Sequence, residues 1–269
     1  MVASPSEEPI ARIPFEACPL CGDDDAEEVE VGNARLHALY SPELPPEIHW
    51  IRCDGCGHVF TDGYFGPKGL DVIFRGVHAS QTPGDHTIGH ARGIAAKIVE
   101  DVAPFKSRLG GKWLDVGFGD GALLTTADEL GYEVTGLDLR ADSVAKMRAF
   151  GYEAHAVDLV SFAPSTTFDV ISMADVLEHM PFPKEALVKA HALLAPGGLL
   201  FVSMPNMDAF AWRELTAKGK NPYFYEIEHV HNFGRKRLVA LLEEHGFLPC
   251  RYGISQRYVA CMEIVAKRM

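Results

Sequence analysis

Residues 112–122 read KWLDVGFGDGA, and this stretch decides the fold. It begins with a short, mainly apolar run that is typical of a buried strand. The run ends in three alternating glycines, Gly117, Gly119 and Gly121, and a helical pattern follows directly. Glycines at a strand-to-helix turn allow positive φ angles and a close approach of the backbone to a ligand. The stretch therefore predicts the first half of a βαβ unit with a ligand at its turn.

The sequence on either side keeps alternating between apolar runs and helical patterns. Strands are predicted at Lys112–Val116, Glu133–Leu137, Glu153–Val157, Asp169–Ala174 and Leu199–Met204. Helices are predicted at Ile88–Val102, Ala122–Leu130, Ser143–Phe150, Glu185–Leu194 and Arg235–His245. This alternation predicts an α/β fold with a doubly wound, mostly parallel sheet, and ligands bind such sheets at the carboxyl ends of the strands.

The charge of the glycine turn indicates which ligand it takes. The segment also fits the dinucleotide fingerprint G-x-G-x-x-G/A, so the glycines alone do not distinguish a dinucleotide from another nucleoside ligand. Asp115 and Asp120 flank the turn and would oppose a pyrophosphate at close range. A ligand with a positive charge, such as S-adenosylmethionine with its ammonium and sulfonium groups, reverses that sign. We therefore expect a cationic nucleoside.

Two further acids follow the next two predicted strands. Asp138 ends the second strand, where a carboxylate can accept hydrogen bonds from both ribose hydroxyls. Asp158 follows the third strand, where it can accept a hydrogen bond from an adenine amino group. For Asp158 the alternative is an ordinary helix N-cap. Acids at three successive strand ends together predict a nucleoside site.

The motifs in this order resemble those of the class I S-adenosylmethionine-dependent methyltransferases. LDVGFGDG is similar to the first motif of that family, GLDL to its ribose-binding segment and AVDL to its adenine-binding segment. FDVISMADVLEHM and LLAPGGLLFVSMPN are similar to its motifs on the fourth and fifth strands. The resemblance implies a Rossmann-like sheet of seven strands whose last pair, Leu248–Ile254 and Tyr258–Ala266, forms an antiparallel hairpin.

The same resemblance implies which residues hold the cofactor. The residues expected to line it are Asp115, Gly117, Gly119, Gly121, Asp138, Asp158 and Leu159. Arg92, on the helix before the first strand, is expected to reach the carboxylate of the cofactor.

Two Cys-x-x-Cys pairs near the N-terminus predict a metal site. Cys18 and Cys21 form one pair and Cys53 and Cys56 the other, and each pair is followed by a glycine. Four thiolates favour a structural, tetrahedral Zn²⁺. A redox dithiol is the alternative, but neither pair lies beside a βαβ unit. The CPxCG segment also resembles an N-terminal zinc ribbon found before several small-molecule and sugar methyltransferases.

The predicted domains follow from these motifs. Residues 1–66 form the zinc-ribbon module, 67–111 a connecting helical segment and 112–269 the cofactor-binding domain. The ribbon is either a metal-stabilised mini-domain that covers one side of the main domain or a module that recruits substrate. Residues 206–233, which are rich in aromatic side chains, are expected to form a lid over the acceptor. The alternative for the start of this segment is a helix at Ala209–Ala217 packed on the sheet edge.

Three histidines are the candidates for removing a proton from the acceptor. His179 follows the fourth strand, and His229 and His231 follow the fifth. A structural role for His179, orienting the cofactor pocket, is the alternative. The resemblance to the ribose methyltransferases of small-RNA ends also implies a variant with a second divalent cation. Its ligands would be Asp175, Glu178, His179 and His231.

Composition limits the remaining choices. The 269 residues are 47% hydrophobic and 23% charged, which is an ordinary globular mixture. With 25 basic and 37 acidic residues the net charge is −12, so nucleic acid is an unfavourable partner. Neither a signal peptide nor a membrane span is apparent, and we expect a cytoplasmic protein.

These observations predict an S-adenosylmethionine-dependent O- or N-methyltransferase for a small organic or sugar-like acceptor. The alternatives are an RNA or protein methyltransferase recruited by the ribbon, and a non-catalytic cofactor-binding scaffold. The sequence leaves the identity of the acceptor and the oligomeric state open.

Overall fold

The computed structural model describes residues 10–77, 83–84, 88–106, 108 and 110–269. The strands are β1 Ile13–Pro14, β2 Ala26–Asn33, β3 Glu47–Cys53, β4 Val59–Thr61, β5 Gly63–Tyr64, β6 Gly111–Val116, β7 Tyr132–Leu137, β8 Glu153–His155, β9 Phe168–Ala174, β10 Leu194–Pro205, β11 His231–Asn232, β12 Phe247–Ile254 and β13 Cys261–Arg268. The α-helices are α1 Pro67–Val77, α2 Ile88–Val102, α3 Ala122–Glu129, α4 Ala141–Ala149, α5 Pro183–Leu193, α6 Phe210–Ala217 and α7 Arg235–Glu244.

Seven strands form the large sheet, in the order β12-β13-β10-β9-β6-β7-β8. All neighbouring pairs from β10 to β8 are parallel, whereas β13 runs antiparallel to both β10 and β12. The predicted seven-stranded, mostly parallel sheet with a final hairpin is confirmed. The carboxyl ends of β6, β7, β8, β9 and β10 consequently lie along one edge of the sheet.

Helices cover both faces of this sheet, because alternate side chains of each strand enter different layers. Trp113 packs with residues of α2, α3 and α4, while Leu114 packs in the layer that contains α5 and α7. Both side chains are fully buried. This two-sided burial explains why the strands read as continuous apolar runs, and it confirms the doubly wound arrangement.

The N-terminal region forms a four-stranded sheet in the order β11-β4-β3-β2, beside the short pair β1-β5. Strand β11 pairs His231 with Phe60 and Asn232 with Val59. This strand lies outside the predicted 1–66 module, so that module is not self-contained. Its sheet is completed by a strand from the segment that follows β10.

The 206–233 segment contains α6, a short 3-10 helix at Pro222–Phe224, and β11. Trp212 on α6 is buried and stacks on Tyr223, with ring centroids 4.9 Å apart. Helix α6 thus occupies most of the predicted Ala209–Ala217 helix and packs its tryptophan within the segment, and the role of residues 206–233 as a lid stays a prediction. Along the described residues, no helix combines the length and apolar character that a bilayer span requires.

Candidate functional site

The glycine turn after β6 adopts the backbone that its sequence predicts. Gly117, Gly119 and Gly121 have φ angles of 68°, 57° and 79°, which favour glycine. A Cβ atom on Gly117 would lie 2.7 Å from Cγ2 of Val176, so a larger residue would collide with the segment after β9. The Gly117 amide donates to the Leu137 carbonyl over 2.7 Å. The turn is thus held between β7 and the end of β9.

Asp115 lies inside the sheet edge rather than on the surface of the turn. Its side chain is 2% exposed, and the Ser172 hydroxyl donates to Oδ1 over 2.6 Å. Burial raises the pKa of Asp115 to about 7, although Ser172 and the Arg257 cation oppose this shift. The negative charge that the sequence assigns to this position is therefore only partly present near neutral pH.

Asp138 braces the turn and is already paired. Its Oδ1 accepts hydrogen bonds from the backbone N and Nε of Arg140, both over 2.9 Å. Its Oδ2 accepts from Nη2 of Arg140 over 2.8 Å and from the Gly119 amide over 3.2 Å. A carboxylate offers about four lone-pair positions, so a ribose hydroxyl can bind here only by displacing one of these donors.

The other expected cofactor residues are distributed unevenly. Asp158 accepts a hydrogen bond from the Ser161 amide over 2.8 Å, within a turn rather than at the start of a helix, and the neighbouring Leu159 is buried. Arg92 is exposed and pairs with Glu129 at the last residue of α3. The glycine turn lies at the other end of α3, so the structure does not bring Arg92 to it.

Glu178, His179 and His229 form a cluster beyond the end of β9. One ligand atom from each of them lies within 4.8 Å of the others. The rings of His179 and His229 meet edge to face, with centroids 4.8 Å apart. Glu178 is 1% exposed, and among the described residues neither of its carboxylate oxygens meets a hydrogen-bond donor. An unsatisfied buried carboxylate is costly and therefore indicates a binding partner or a proton.

The electrostatics of the cluster assign different states to its members. Burial raises the pKa of Glu178 well above its ordinary range, against the opposing effect of His179. Burial, together with the nearby charge of His179, lowers the pKa of His229 to about 3. For His179 burial also acts downward, but the carboxylates of Glu178 and Glu228 outweigh it and raise the pKa. At neutral pH the cluster thus joins a neutral His229 to a carboxyl group that readily holds a proton.

His231 does not join this cluster, which corrects its prediction as a base and as a metal ligand. It is fully buried, its Nε2 lies 2.9 Å from the Met180 carbonyl oxygen, and its Nδ1 lies 3.0 Å from Nε2 of His58. Both ring nitrogens are engaged by the fold. In the expected second-cation set, His229 therefore stands where His231 was predicted.

Asp175 does not join the cluster either, because Arg257 holds it. Nη1 of Arg257 lies 3.2 Å from Oδ2 of Asp175, and the Ser203 hydroxyl donates to Oδ1 over 2.9 Å. Arg257 comes from the loop between β12 and β13. Sequence reasoning missed this arginine because no motif marks it, and only the hairpin brings it to the end of β9.

The four cysteines of the two Cys-x-x-Cys pairs come together at one point. Their sulfur atoms all lie within 4.8 Å of one another, with Cys18 to Cys56 at 3.7 Å and Cys21 to Cys53 at 3.4 Å. A tetrahedron with metal–sulfur bonds of about 2.3 Å has edges of about 3.8 Å. A disulfide needs about 2.05 Å between sulfurs. The arrangement fits a single tetrahedral ion.

The N-terminal region, residues 10–66, also contacts the segment that carries His229. Nε1 of Trp50 donates to the Phe224 carbonyl over 2.9 Å, and Nε2 of His37 lies 3.0 Å from Oε1 of Glu226. The Thr61 amide donates to the Val230 carbonyl, and the Val230 amide donates to the Glu178 carbonyl, both over 2.9 Å. Val230 therefore connects the N-terminal region directly to the Glu178 turn.

The sheet order, the glycine turn and the acids along one sheet edge define the class I methyltransferase fold, a Rossmann-like fold. Residues 88–249 match the methyltransferase domain family, and the chain belongs to that family.

Curated relatives share part of this region. A ubiquinone biosynthesis O-methyltransferase of Idiomarina loihiensis is 39% identical over 113 residues, which are 39% of this chain and 46% of that protein. The protein of the same name from Colwellia psychrerythraea is 31% identical over 145 residues, or 49% of this chain and 59% of that protein. The chain thus spans about half the length of the curated relatives it matches.

Solved structures agree on the fold. The 1,6-didemethyltoxoflavin-N1-methyltransferase of Burkholderia thailandensis, with bound 1,6-didemethyltoxoflavin and S-adenosylhomocysteine, has a TM-score of 0.58 at 17% identity and covers 79% of this chain and 96% of its own. The magnesium protoporphyrin IX methyltransferase of Synechocystis PCC 6803, with bound S-adenosylhomocysteine, has a TM-score of 0.56 at 18% identity, covering 77% and 97%.

Proposed function

We propose that the chain transfers a methyl group from S-adenosylmethionine to a hydroxyl group of a small organic acceptor. The observation that carries the proposal is the buried carboxyl group of Glu178, whose oxygens accept no hydrogen bond among the described residues and which follows the strand next to the glycine turn. Membership of the methyltransferase domain family supports the reaction type, and the partial match to O-methyltransferases supports oxygen as the methylated atom.

The cofactor would lie along the carboxyl ends of β8, β7, β6 and β9. Asp158 follows β8, Asp138 follows β7, and the glycine turn with Asp115 follows β6. We propose that the ribose hydroxyls replace the side-chain donors of Arg140 on Asp138. S-adenosylmethionine, when bound, supplies an electrophilic methyl group. The protein's part is to align the acceptor oxygen behind that group.

Glu178 is the best candidate for the general base. A base works best when its pKa is near the working pH, and burial moves the pKa of Glu178 toward that range. His229, with a pKa of about 3, is a poor base at neutral pH. His179 contacts both Glu178 and the Glu228 carbonyl, so it is suited to orient the carboxylate.

The surroundings of the cluster favour a flat organic acceptor over a nucleic acid. Tyr223 lies parallel to the His229 ring, with 6.2 Å between centroids, and Trp212 stacks on Tyr223. Glu226 and Glu228 add further acidic groups beside His179. Burial acts to raise the pKa of Glu226, but the hydrogen bond from His37 and the neighbouring histidines lower it to about 2. These acidic side chains would repel the phosphate groups of a nucleic acid.

We further propose that Cys18, Cys21, Cys53 and Cys56 bind a structural Zn²⁺. The fit of the sulfur distances to a tetrahedral thiolate site supports this assignment. The ribbon would then hold the 222–232 segment against the end of β9, through the contacts of Trp50, His37 and Thr61. Zinc would thus stabilise the residues proposed to contact the acceptor, without contacting the cofactor itself.

A metal-assisted form of the reaction is the second candidate, and the convergence of Glu178, His179 and His229 favours it. Within the described part of the chain, Nδ1 of His229 also lacks a hydrogen-bond partner, so carboxylate and imidazole atoms are available as ligands. A divalent cation bound there would lower the pKa of an acceptor hydroxyl. Mn²⁺ binding followed by electron paramagnetic resonance tests this candidate, which requires that His229→Gln weakens the binding.

Transfer of labelled methyl groups to a panel of catechols, phenols and amines tests the main proposal. We expect turnover of a hydroxyl acceptor, and a fall in kcat of about 10²- to 10⁴-fold in Glu178→Gln, the range for removing a general base. The KM for S-adenosylmethionine should not change. Glu185→Gln, at an exposed glutamate on α5, is the matched control. An unchanged kcat in Glu178→Gln would exclude this residue as the base.

A further inference from the structure

Arg257 is a cation in the middle of an acidic site. Its guanidinium lies against Asp175, directly after β9, and about a third of its side chain is exposed. Burial alone would lower its pKa, but Asp175, Tyr258, Asp115 and Asp120 outweigh burial and raise it. Arg257 in turn offsets a part of the rise that burial causes in the pKa of Asp115 and of Glu178. The charge is thus permanent, and it acts on the glycine turn and on the Glu178 cluster together.

The order of the strands fixes which part of the cofactor would lie beside this cation. Adjacent strands are about 4.8 Å apart. The proposed adenine acid follows β8, the ribose acid follows β7 and the glycine turn follows β6, so a nucleoside laid along this edge continues onto the end of β9. Asp175 occupies that position, two residues beyond Met173, which pairs with Val116. The amino-acid part of the cofactor would therefore end at Arg257.

That part of the cofactor carries a carboxylate, which the acids of this edge would repel. Asp115, Asp120, Asp175 and Glu178 all lie within electrostatic reach of Arg257. A carboxylate placed among them needs a cation, and the resemblance-based candidate, Arg92, is paired with Glu129 at the far end of α3. Arginine is well suited to the task, because its planar donors match a carboxylate geometrically.

We propose that Arg257 binds the carboxylate group of the cofactor's methionine moiety. This inference rests on the proposed function. Asp175 is the positioning residue: its Oδ1 is fixed by Ser203, and its backbone amide donates to the Ser203 carbonyl over 2.9 Å, so the ion pair aims the guanidinium at the end of β9. The hairpin between β12 and β13 thereby becomes part of the cofactor site.

Calorimetric titration with S-adenosylhomocysteine and with its decarboxylated analogue tests the proposal, because the analogue keeps the nucleoside and the ammonium group. We expect the wild-type protein to bind S-adenosylhomocysteine more tightly. In Arg257→Gln, affinity for S-adenosylhomocysteine should fall by about ten- to a hundredfold, the range for losing a charge-assisted hydrogen bond, while affinity for the analogue stays unchanged. Arg257→Lys should recover part of the loss.

The remaining outcomes overturn the proposal. Equal losses for both ligands in Arg257→Gln would mean that Arg257 only supports the fold, and no loss, or tighter binding, would mean that it faces another ligand or blocks the site. A selective loss in Arg92→Gln instead would assign the carboxylate to Arg92. If the wild-type protein binds neither ligand, the proposed function itself fails. Arg213→Gln, at an exposed arginine on α6, is the matched control.

Discussion

At the scale of single residues, burial decides which carboxyl groups of the site carry charge. Asp115 is enclosed by the sheet and Glu178 by the segment after β9, and burial raises the pKa of both. Asp138 is also buried, and its carboxylate pairs directly with Arg140. The sequence shows three acids at three strand ends, but it does not show these differences, because they depend on neighbours that are distant in the chain.

Binding of S-adenosylmethionine should therefore depend on pH through Asp115. The ionised form favours a cationic ligand, and with a pKa of about 7 it is depleted below neutral pH. Affinity should fall as the pH drops below 7, by up to about tenfold per unit, and level off above it. Calorimetry between pH 5.5 and 8.5 (roughly the stable range expected of a folded domain) measures this.

Asp115→Asn is the control for that dependence, since it keeps the shape and removes the titration. We expect a flat profile from it in the same pH interval. Arg257, Asp120 and Asp138 also act on the Asp115 carboxyl group. A wild-type profile that is already flat would contradict the assignment of this shift to cofactor binding.

At the scale of elements, patterns along the chain predicted most of the fold. Helix α2 occupies the predicted Ile88–Val102, and β9 begins within one residue of its predicted start. β11 was not predicted, because two residues carry no periodicity and its pairing with β4 joins positions about 170 residues apart. The assignment of His231 to the second-cation set fails because of a similarly distant contact: His58, which engages His231, is 173 residues away in sequence.

The His58–His231 contact predicts a measurable link between the ribbon and the acceptor side. His58→Phe keeps a ring beside Phe60 but leaves Nδ1 of His231 without its partner. Leaving a buried polar atom unsatisfied costs about 1–3 kcal/mol, so the free energy of unfolding should fall by that amount. We also expect kcat/KM for the acceptor to fall several-fold, with unchanged affinity for S-adenosylhomocysteine.

The matched substitution is His49→Phe, on a more exposed part of β3 where the imidazole contacts Glu28. It should leave both acceptor turnover and cofactor affinity unchanged. If His58→Phe lowers stability but acceptor turnover stays at the wild-type level, the ribbon does not position the segment that carries His229.

At the scale of the whole molecule, two sheets share one chain segment. The large sheet provides the proposed cofactor edge, and the small sheet, completed by β11, holds residues 222–232 beside Glu178. The small sheet has its own apolar cluster, built around Trp50, Ile48 and Phe65. Because different sheets support the two parts of the site, we predict that cofactor binding and acceptor turnover can be separated experimentally.

Removing zinc should abolish acceptor turnover without abolishing cofactor binding. Structural zinc contributes on the order of 10 kcal/mol to the folding of zinc-finger peptides, so Cys56→Ser or chelation should unfold the small sheet. Acceptor turnover should be lost, while S-adenosylhomocysteine still binds to the large sheet. Mass spectrometry measures the metal content, thermal unfolding follows the small sheet, and calorimetry measures the binding of S-adenosylhomocysteine. Full acceptor turnover by metal-free protein would contradict the prediction.

The central claim is that the turn from Gly117 to Gly121 binds an S-adenosyl cofactor rather than a dinucleotide, and side-by-side titration with S-adenosylhomocysteine and NADH tests it most directly. We predict saturable binding of S-adenosylhomocysteine alone, weakened by about ten- to a hundredfold in Asp138→Ala. Arg140→Met should stay within about threefold of wild type, because the ribose hydroxyls replace the donors that it loses. Tight binding of NADH at this turn, with no binding of S-adenosylhomocysteine, would contradict the claim.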